Sequence, residues 1–339
     1  MDIDLQYFNE YAEPVAPTNL TSWTKAIDFS GGSEYAKQVS NYSYTNALSM
    51  GFTGTTVPVH TTDASKTSDH FYSRPWATST VFKLNGNNSN QHIWNYGEGA
   101  SSTHDNIYLR TDQWGALYFG WGRQGASNEY LIATNLGTAS WYGVYIGYKG
   151  ARYSSSDATA SNLASQFDIK LMFYSGGSWI FNPNPTYGGA GTWVTTGGRM
   201  DRSIGGHLTI GGRGANRNFH GKVASMVVTT LVADRYLPTT NQIEKMITDP
   251  IKWLQNFKVG NEYRIPTYQY PQTGSNSFAM NGVNENTSTQ VWLMGDGSYD
   301  SYSNGIRNQV KPSEQNLTKL QFNSMVSNDI ETVNIAGLS

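Results

Sequence analysis

Acid–base chemistry on a glycosidic bond needs two carboxylates held about 5–9 Å apart, and the acidic residues of this chain stand alone. Asp105, Asp112 and Asp168 fall on or beside segments patterned as strands, each without an acidic neighbour at alternate spacing. No Glu-x-Asp-x-x-Glu run, whose alternate residues would share one face of a strand, occurs anywhere. Asp105 and Asp112 bracket a predicted hairpin and could approach each other across it; two solvated turn carboxylates account for them equally well. Nucleophilic chemistry has still less to work with. The chain has no cysteine and no Gly-x-Ser-x-Gly elbow. Its six histidines (His60, His70, His92, His104, His207 and His220) form no His-x-x-x-His pair of the kind that binds zinc. Gly97-Glu-Gly and Gly212-Arg-Gly lack the third glycine or the Lys-Ser/Thr that phosphate loops require. No catalytic residue is predicted.

Binding is better served. Flat aromatic faces pack against sugar rings, and Asn, Asp, Gln and Arg supply planar hydrogen-bonding groups beside them. Trp94, Tyr96, Trp114, Trp121 and Arg123 cluster along the sequence. Trp121 shares strand parity with Leu117 and Phe119 and is assigned to the core, whereas Trp114 falls in a turn and is the surface aromatic. The candidate glycan-binding residues are therefore Trp114, Trp94, Tyr96 and Arg123. Calcium at a sheet rim takes oxygen ligands from Asp, Asn and backbone carbonyls. Asp105 with Asn106 is one candidate site and Asp296-Gly-Ser-Tyr-Asp300 another, although the latter lacks the sixth-position Gly and twelfth-position Glu of an EF-hand. Polar turns without metal explain both, and no cofactor is predicted.

The elements that would position these residues are strands. Ser79–Leu84, Gln91–Tyr96, Asn106–Arg110, Ala116–Trp121, Trp141–Tyr148 and Phe167–Tyr174 carry alternating or β-branched and aromatic residues between turn clusters. Asn85–Asn90 reads as a turn that makes Gln91–Tyr96 the partner of Ser79–Leu84. Thr111–Gly115 joins the next two strands as a hairpin. In Phe167–Phe173, Phe167, Ile169, Leu171 and Phe173 point one way while Asp168 and Lys170 point the other, as in an antiparallel sheet with one packed face. Ala26–Phe29 is an earlier strand. Leu208–Ile210 and the run ending at Val228 are strands flanking a Gly-, Arg- and Asn-rich loop. Helical spacing appears at Ile243, Met246 and Ile247, then Ile251 and Leu254, with Thr239 or Thr240 as cap and Pro250 as the break.

The chain is 339 residues long with a net charge of −2 and 14% charged residues, so binding driven by phosphate neutralisation is not expected. An apolar fraction of 38% is low, but 22 Tyr and 10 Trp supply large buried areas per side chain. No run of about 18 apolar residues predicts a transmembrane helix. Met1–Tyr7 lacks the basic start and apolar stretch of a signal peptide; with no cysteine, the expectation is synthesis in a reducing bacterial cytoplasm. Residues 1–23, with Pro14 and Pro17, read as an extended arm, 24–258 as one β-sandwich and 259–339 as a polar extension packing on that sandwich or on neighbouring subunits. Residues 50–75 read as a long surface loop.

Two sets of residues carry a resemblance. Ile210, Gly211, Gly212, Phe219, Gly221 and Val223 resemble the Ile-Gly-Gly turn, aromatic and Gly-led closing strand of laminin G and pentraxin sandwiches. Ala26–Gly31 resembles the opening strand of such domains. The segments 87–99, 105–110, 117–122, 292–297 and 325–330 are similar to laminin G-like proteins of tailed phages of marine bacteria. The resemblance covers about residues 24–339. It implies an all-β, antiparallel two-sheet jelly-roll (concanavalin A-like) fold. It also implies a non-enzymatic virion structural protein, a capsid decoration or fibre, with other virion proteins and copies of itself as partners. Host surface polysaccharide is a further partner, with no nucleic acid and no membrane insertion. A free carbohydrate-binding lectin is the alternative, and a glycan hydrolase a third.

Overall fold

The computed structural model describes residues 25–32, 34–38, 76–96, 106–123, 126–149, 164–175, 178–182, 191–195, 208–213, 217–230 and 237–256, with short strands at 258–259, 262–263, 290–293, 305–306, 320–323 and 330–332. The predicted arm, the 50–75 loop, Asp105 and the Asp296–Asp300 run lie outside these residues.

The fold is an all-β antiparallel sandwich of two sheets. The first sheet runs β10 (Ser178–Asn182), β9 (Phe167–Ser175), β8 (Trp141–Tyr148), β3 (Trp76–Leu84), β13 (His220–Thr230), β1 (Lys25–Ser30) and β19 (Ile330–Thr332). A further strand, β16 (Gln290–Leu293), also pairs with β13. The second sheet runs β11 (Thr192–Thr195), β7 (Ala126–Ala133), β6 (Leu117–Arg123), β5 (Asn106–Thr111), β4 (Gln91–Tyr96), β12 (Leu208–Ile210), β2 (Tyr35–Gln38), β18 (Leu320–Asn323) and β17 (Gly305–Ile306). A separate small hairpin joins β14 (Lys258–Val259) to β15 (Glu262–Tyr263).

Alternation along each strand builds the interior. Ile107 and Leu109 of β5, Leu117 and Phe119 of β6, and Ile132 of β7 meet Phe82, Leu84, Tyr142, Val144, Ile146, Ile169 and Leu171 of the opposing sheet. The other face of the first sheet is covered as well. Helices α1 (Thr240–Thr248) and α2 (Pro250–Gln255) bury Ile243, Met246, Ile247, Trp253 and Leu254 against Ala77, Val81, Tyr145, Met172 and Val227. That is why β8 is buried at every position. Gln242 accepts a hydrogen bond from the Thr239 backbone N–H at 2.9 Å as α1 starts, and Asp249 accepts from Lys252 N at 3.0 Å as Pro250 opens α2.

One expectation about strand pairing is corrected. Gln91–Tyr96 is not the partner of Ser79–Leu84. Residues 85–90 cross from one sheet to the other, with Asn90 in the left-handed region at φ +55°. β3 pairs instead with β13 and β8, and β4 with β5 and β12. Sheet pairing continues past residue 258, in short strands of the polar extension. β16 extends the edge of β13 beyond β1, β19 pairs with β1, and β18 pairs with β2. These short polar segments bury little alone, and sheet edges that need partners supply the drive to order them.

The predicted hairpin of residues 106–121 stands as β5 and β6, with Leu109 opposite Phe119 and Arg110 opposite Tyr118. Because no helix covers the outer face of the second sheet among the described residues, that face carries the polar parity of its strands.

A candidate binding cleft on the outer face of the second sheet

With Ile107 and Leu109 committed to the core, β5 must send Asn106, Tyr108 and Arg110 to the outer face. The neighbouring strands contribute Tyr118 from β6 and Ser127 and Glu129 from β7. Together they floor a cleft of about 460 Å³. Tyr108 donates its hydroxyl to Glu129 Oε1 at 2.7 Å. Arg110 grips the same carboxylate with two parallel bonds, Nε to Oε1 and Nη2 to Oε2, each 2.8 Å. Its guanidinium carbon also lies 4.2 Å from the centre of the Tyr118 ring, a cation–π contact. Burial alone would raise the Glu129 carboxyl, but the hydrogen bonds and charge of Arg110 outweigh it and hold the group below the ordinary carboxylate range. Burial, followed by the Glu129 charge, pushes the Tyr108 hydroxyl far up. Gly120 stands between Tyr108 and Glu129 in the cross-strand register. A Cβ there would come within 2.4 Å of Tyr108 Cζ, so the ring lies flat over a position that only glycine leaves empty.

One wall comes from the loop that follows β12 and crosses to β13. Gly211, at φ +86°, turns the chain; a Cβ would sit 2.2 Å from Phe29. Phe219 plugs the core at the far end of the loop, fully buried and 6.4 Å from Phe29 between ring centroids. Between these anchors Arg213 and Arg217 reach the cleft. His92 N donates to Arg217 O at 2.8 Å, docking the loop on β4. Arg217 sits at φ +53°, an uncommon conformation for a bulky residue. Its Nη1 lies 3.2 Å from His92 Nε2 and 3.5 Å from Asn90 Oδ1. A guanidinium only donates, so His92 must present a lone pair at Nε2. Burial, then the charges of Arg217, Arg213 and Arg110, holds this imidazole neutral, well below its usual pKa. Its ring stacks on Tyr108 at 5.0 Å.

The β5–β6 turn also borders the cleft, through Asp112, Gln113 and Trp114. Asp112 Oδ1 accepts from Trp114 N and Ala116 N, both at 2.9 Å, and Oδ2 accepts from the Tyr118 hydroxyl at 3.2 Å. This Asx-type turn leaves the Trp114 side chain 69% exposed above the cleft.

Of the residues singled out from sequence, Trp114, Asn106 and Asp112 line this cleft. Asn106 donates to Asn95 Oδ1 at 3.1 Å. Trp94 and Tyr96 do not: they are 0% and 1% exposed in the core. A β-bulge between His92 and Trp94 breaks the alternation of β4, so Ile93 and Trp94 both turn inward. As glycan platforms these two are corrected. Arg123 ends β6 opposite Ala126; its side chain lies outside the described residues. Asp105, half of the proposed calcium site, lies outside them too. Asp168 sits on the other sheet, paired with Lys170 at 2.7 Å. Among the described residues no group of three or more His, Asp or Glu could hold a metal. Tyr108, Arg110, Tyr118, Glu129, Arg213 and Arg217 escaped the sequence reading. Strand parity opposite Ile107 and Leu109 does point to Tyr108 and Arg110, whereas nothing local marks Arg213 or Arg217.

No protein-family model matches this chain, and no curated protein matches it in sequence. Among solved structures it is similar to the native heptameric SAP-like pentraxin from Limulus polyphemus, at 11% identity over 81% of this chain and 97% of that one, with a TM-score of 0.30. It is similar to the CBM40 of the Ruminococcus gnavus IT-sialidase, solved bound to α2,3 sialyllactose, at 12% identity over 61% of this chain and 91% of that one, TM-score 0.30. The LG1-3 region of the laminin α2 chain is similar at 9% identity over 62% of this chain and 31% of that one, TM-score 0.31. At these identities the likeness concerns the sandwich, and function rests on the cleft.

Proposed function

We propose that this chain is a non-enzymatic, lectin-like module that binds a glycan in the cleft on the outer face of its second sheet. The observation that carries this reading is the exposed Trp114 indole standing over a cleft walled by planar polar groups, Arg217, Gln113 and Asn90 among them. Aromatic faces with convergent planar donors suit a sugar ring. The two cleft carboxylates support a binding role over hydrolysis. Glu129 is clamped by Arg110 and Tyr108 and held ionised, so it has no proton to give a leaving group. Asp112 has both oxygens engaged in its turn. A glycan array with the full chain tests the reading: wild type selects a defined glycan class, and Trp114→Ala weakens it about tenfold, the scale of one aromatic contact. Polysaccharide depolymerisation that disappears in Asp112→Asn or Glu129→Gln would overturn it in favour of a hydrolase.

The setting we propose is a bacteriophage particle, with the sandwich displayed as a capsid decoration or fibre among other virion proteins and copies of itself. This rests on the sequence resemblance of residues 87–99, 105–110 and 117–122. Mass spectrometry of purified particles checks it; absence of the chain from the particle refutes it.

A further inference from the structure

We propose that the cleft takes an anionic saccharide, its carboxylate or sulfate held by Arg213 and Arg217; this rests on the glycan-binding reading and names the class of glycan. Three arginines and two carboxylates line the cleft, but they are not distributed as three against two. Glu129 is consumed by the bidentate grip of Arg110, and Asp112 by the backbone and hydroxyl donors of its turn. The ion pairs of the described residues join Arg110 to Glu129, Lys170 to Asp168, Lys222 to Asp28 and Lys252 to Asp249; none includes Arg213 or Arg217. Among the described residues, therefore, two guanidinium groups share a half-buried cleft without an ion pair of their own; the Glu129 charge reaches Arg217, but both its oxygens are held by Arg110.

That arrangement is unfavourable in the empty protein. Burial first, and then the charge of Arg217, lowers the Arg213 pKa, as expected for like charges brought together away from water. The global charge does not explain it, because the chain is net negative at −2. The site is also built. Arg217 occupies a left-handed backbone conformation at φ +53°, held there by the His92 N–H bond to its carbonyl at 2.8 Å. Its Nη1 is steered by the neutral His92 at 3.2 Å. A backbone held away from its preferred region, a buried neutral imidazole aligning one guanidinium nitrogen and a second arginine beside it make a preorganised anion receptor. The remaining N–H groups of Arg217 and the five of Arg213 suit the planar oxygens of a carboxylate or the tetrahedral ones of a sulfate. Trp114, which lines the same cleft, would cover the ring that carries the anion.

The test is calorimetric titration of the full chain with paired polysaccharides. The pairs are polygalacturonate and its carboxyl-reduced form, chondroitin sulfate and its desulfated form, and a sialylated oligosaccharide and its desialylated core. Wild type is expected to bind at least one acidic member tenfold or more tightly than its partner, with affinity falling as salt rises. The preferred pair separates carboxylate from sulfate. Arg213→Gln and Arg217→Asn, the latter chosen because Asn tolerates positive φ, should remove the preference while thermal melts remain cooperative. Trp114→Ala should weaken acidic and neutral members alike. Neutral members bound as tightly as acidic ones, with both arginine variants unchanged, would overturn the anion assignment and leave the glycan reading standing. No binding to either member of any pair overturns both.

Discussion

His92 shows how one side chain joins stability to the site. It is buried and neutral beneath Arg217, Arg213 and Arg110, with Tyr108 stacked on it. Its folded pKa lies below the 6.5 of the unfolded chain, so unfolding takes up a proton once pH drops under about that value. The contribution is constant above pH 6.5 and diminishes as pH falls towards the folded pKa, by at most about 1.4 kcal/mol per pH unit. Urea denaturation from pH 7.5 to 5 should show this slope in wild type and a flatter one in His92→Gln. Staying above pH 5 keeps Glu129 out of the comparison. Its folded pKa is lowered, so the stability it adds is present above its unfolded value and is lost only as pH falls through the folded one. Glu129 supplies a second residue-scale prediction. Glu129→Ala strands Arg110 with both bonds lost and should cost about 3 kcal/mol; Arg110→Met combined with Glu129→Leu should recover much of it, read by the same denaturation.

At the scale of elements, the cleft depends on two close approaches. Gly120 lets Tyr108 lie across β6 to reach Glu129. Gly120→Val places carbon within 2.4 Å of that ring, so the ring must lift. Because the outer face is open, the expected loss is about 1–2 kcal/mol of stability with a larger loss of ligand affinity, separable by thermal melts and titration on one sample. Gly211→Ala is different in kind. It meets both φ +86° and a 2.2 Å approach to Phe29 inside the core. The expected cost is about 3–4 kcal/mol, the sum of strain and overpacking, visible as a lower denaturation midpoint. Strand periodicity made the β5–β6 hairpin legible from residues 106–121. It misled at β4, because one bulged residue inverts the inward and outward sets and a bulge leaves no mark on an apolar run.

For the molecule as a whole, the C-terminal strands β18 and β19 pair with β2 and β1 from the start of the sandwich, and β16 pairs with β13. β16 covers the half of β13 that β1 leaves open, and Val291 is fully buried with the helix cluster. Ending the chain after residue 258 should expose the edges of β13, β1 and β2 together. The expected result is a lower melting temperature and self-association on size exclusion, since unpaired edges recruit other chains. A monomeric truncation melting at the wild-type temperature would refute a structural role for these strands.

What the amino-acid order determined by itself was local: that segments such as Asn106–Arg110, Ala116–Trp121 and Phe167–Tyr174 are strands, where the helical pair breaks at Pro250, that Trp114 sits in a turn, and that no paired-carboxylate or thiol chemistry is written along the chain. Those properties depend on neighbours within a few residues, through side-chain alternation, proline geometry and turn propensity. The tertiary structure decided what each face meets. It sent Trp94 and Tyr96 into the core, paired Gln91–Tyr96 with β5 and β12 in place of β3, and brought Arg213 and Arg217 onto a floor laid by residues about a hundred positions earlier. Which charges share a cleft depends on sheet order and on loops that cross between sheets, and neither is a function of sequence spacing.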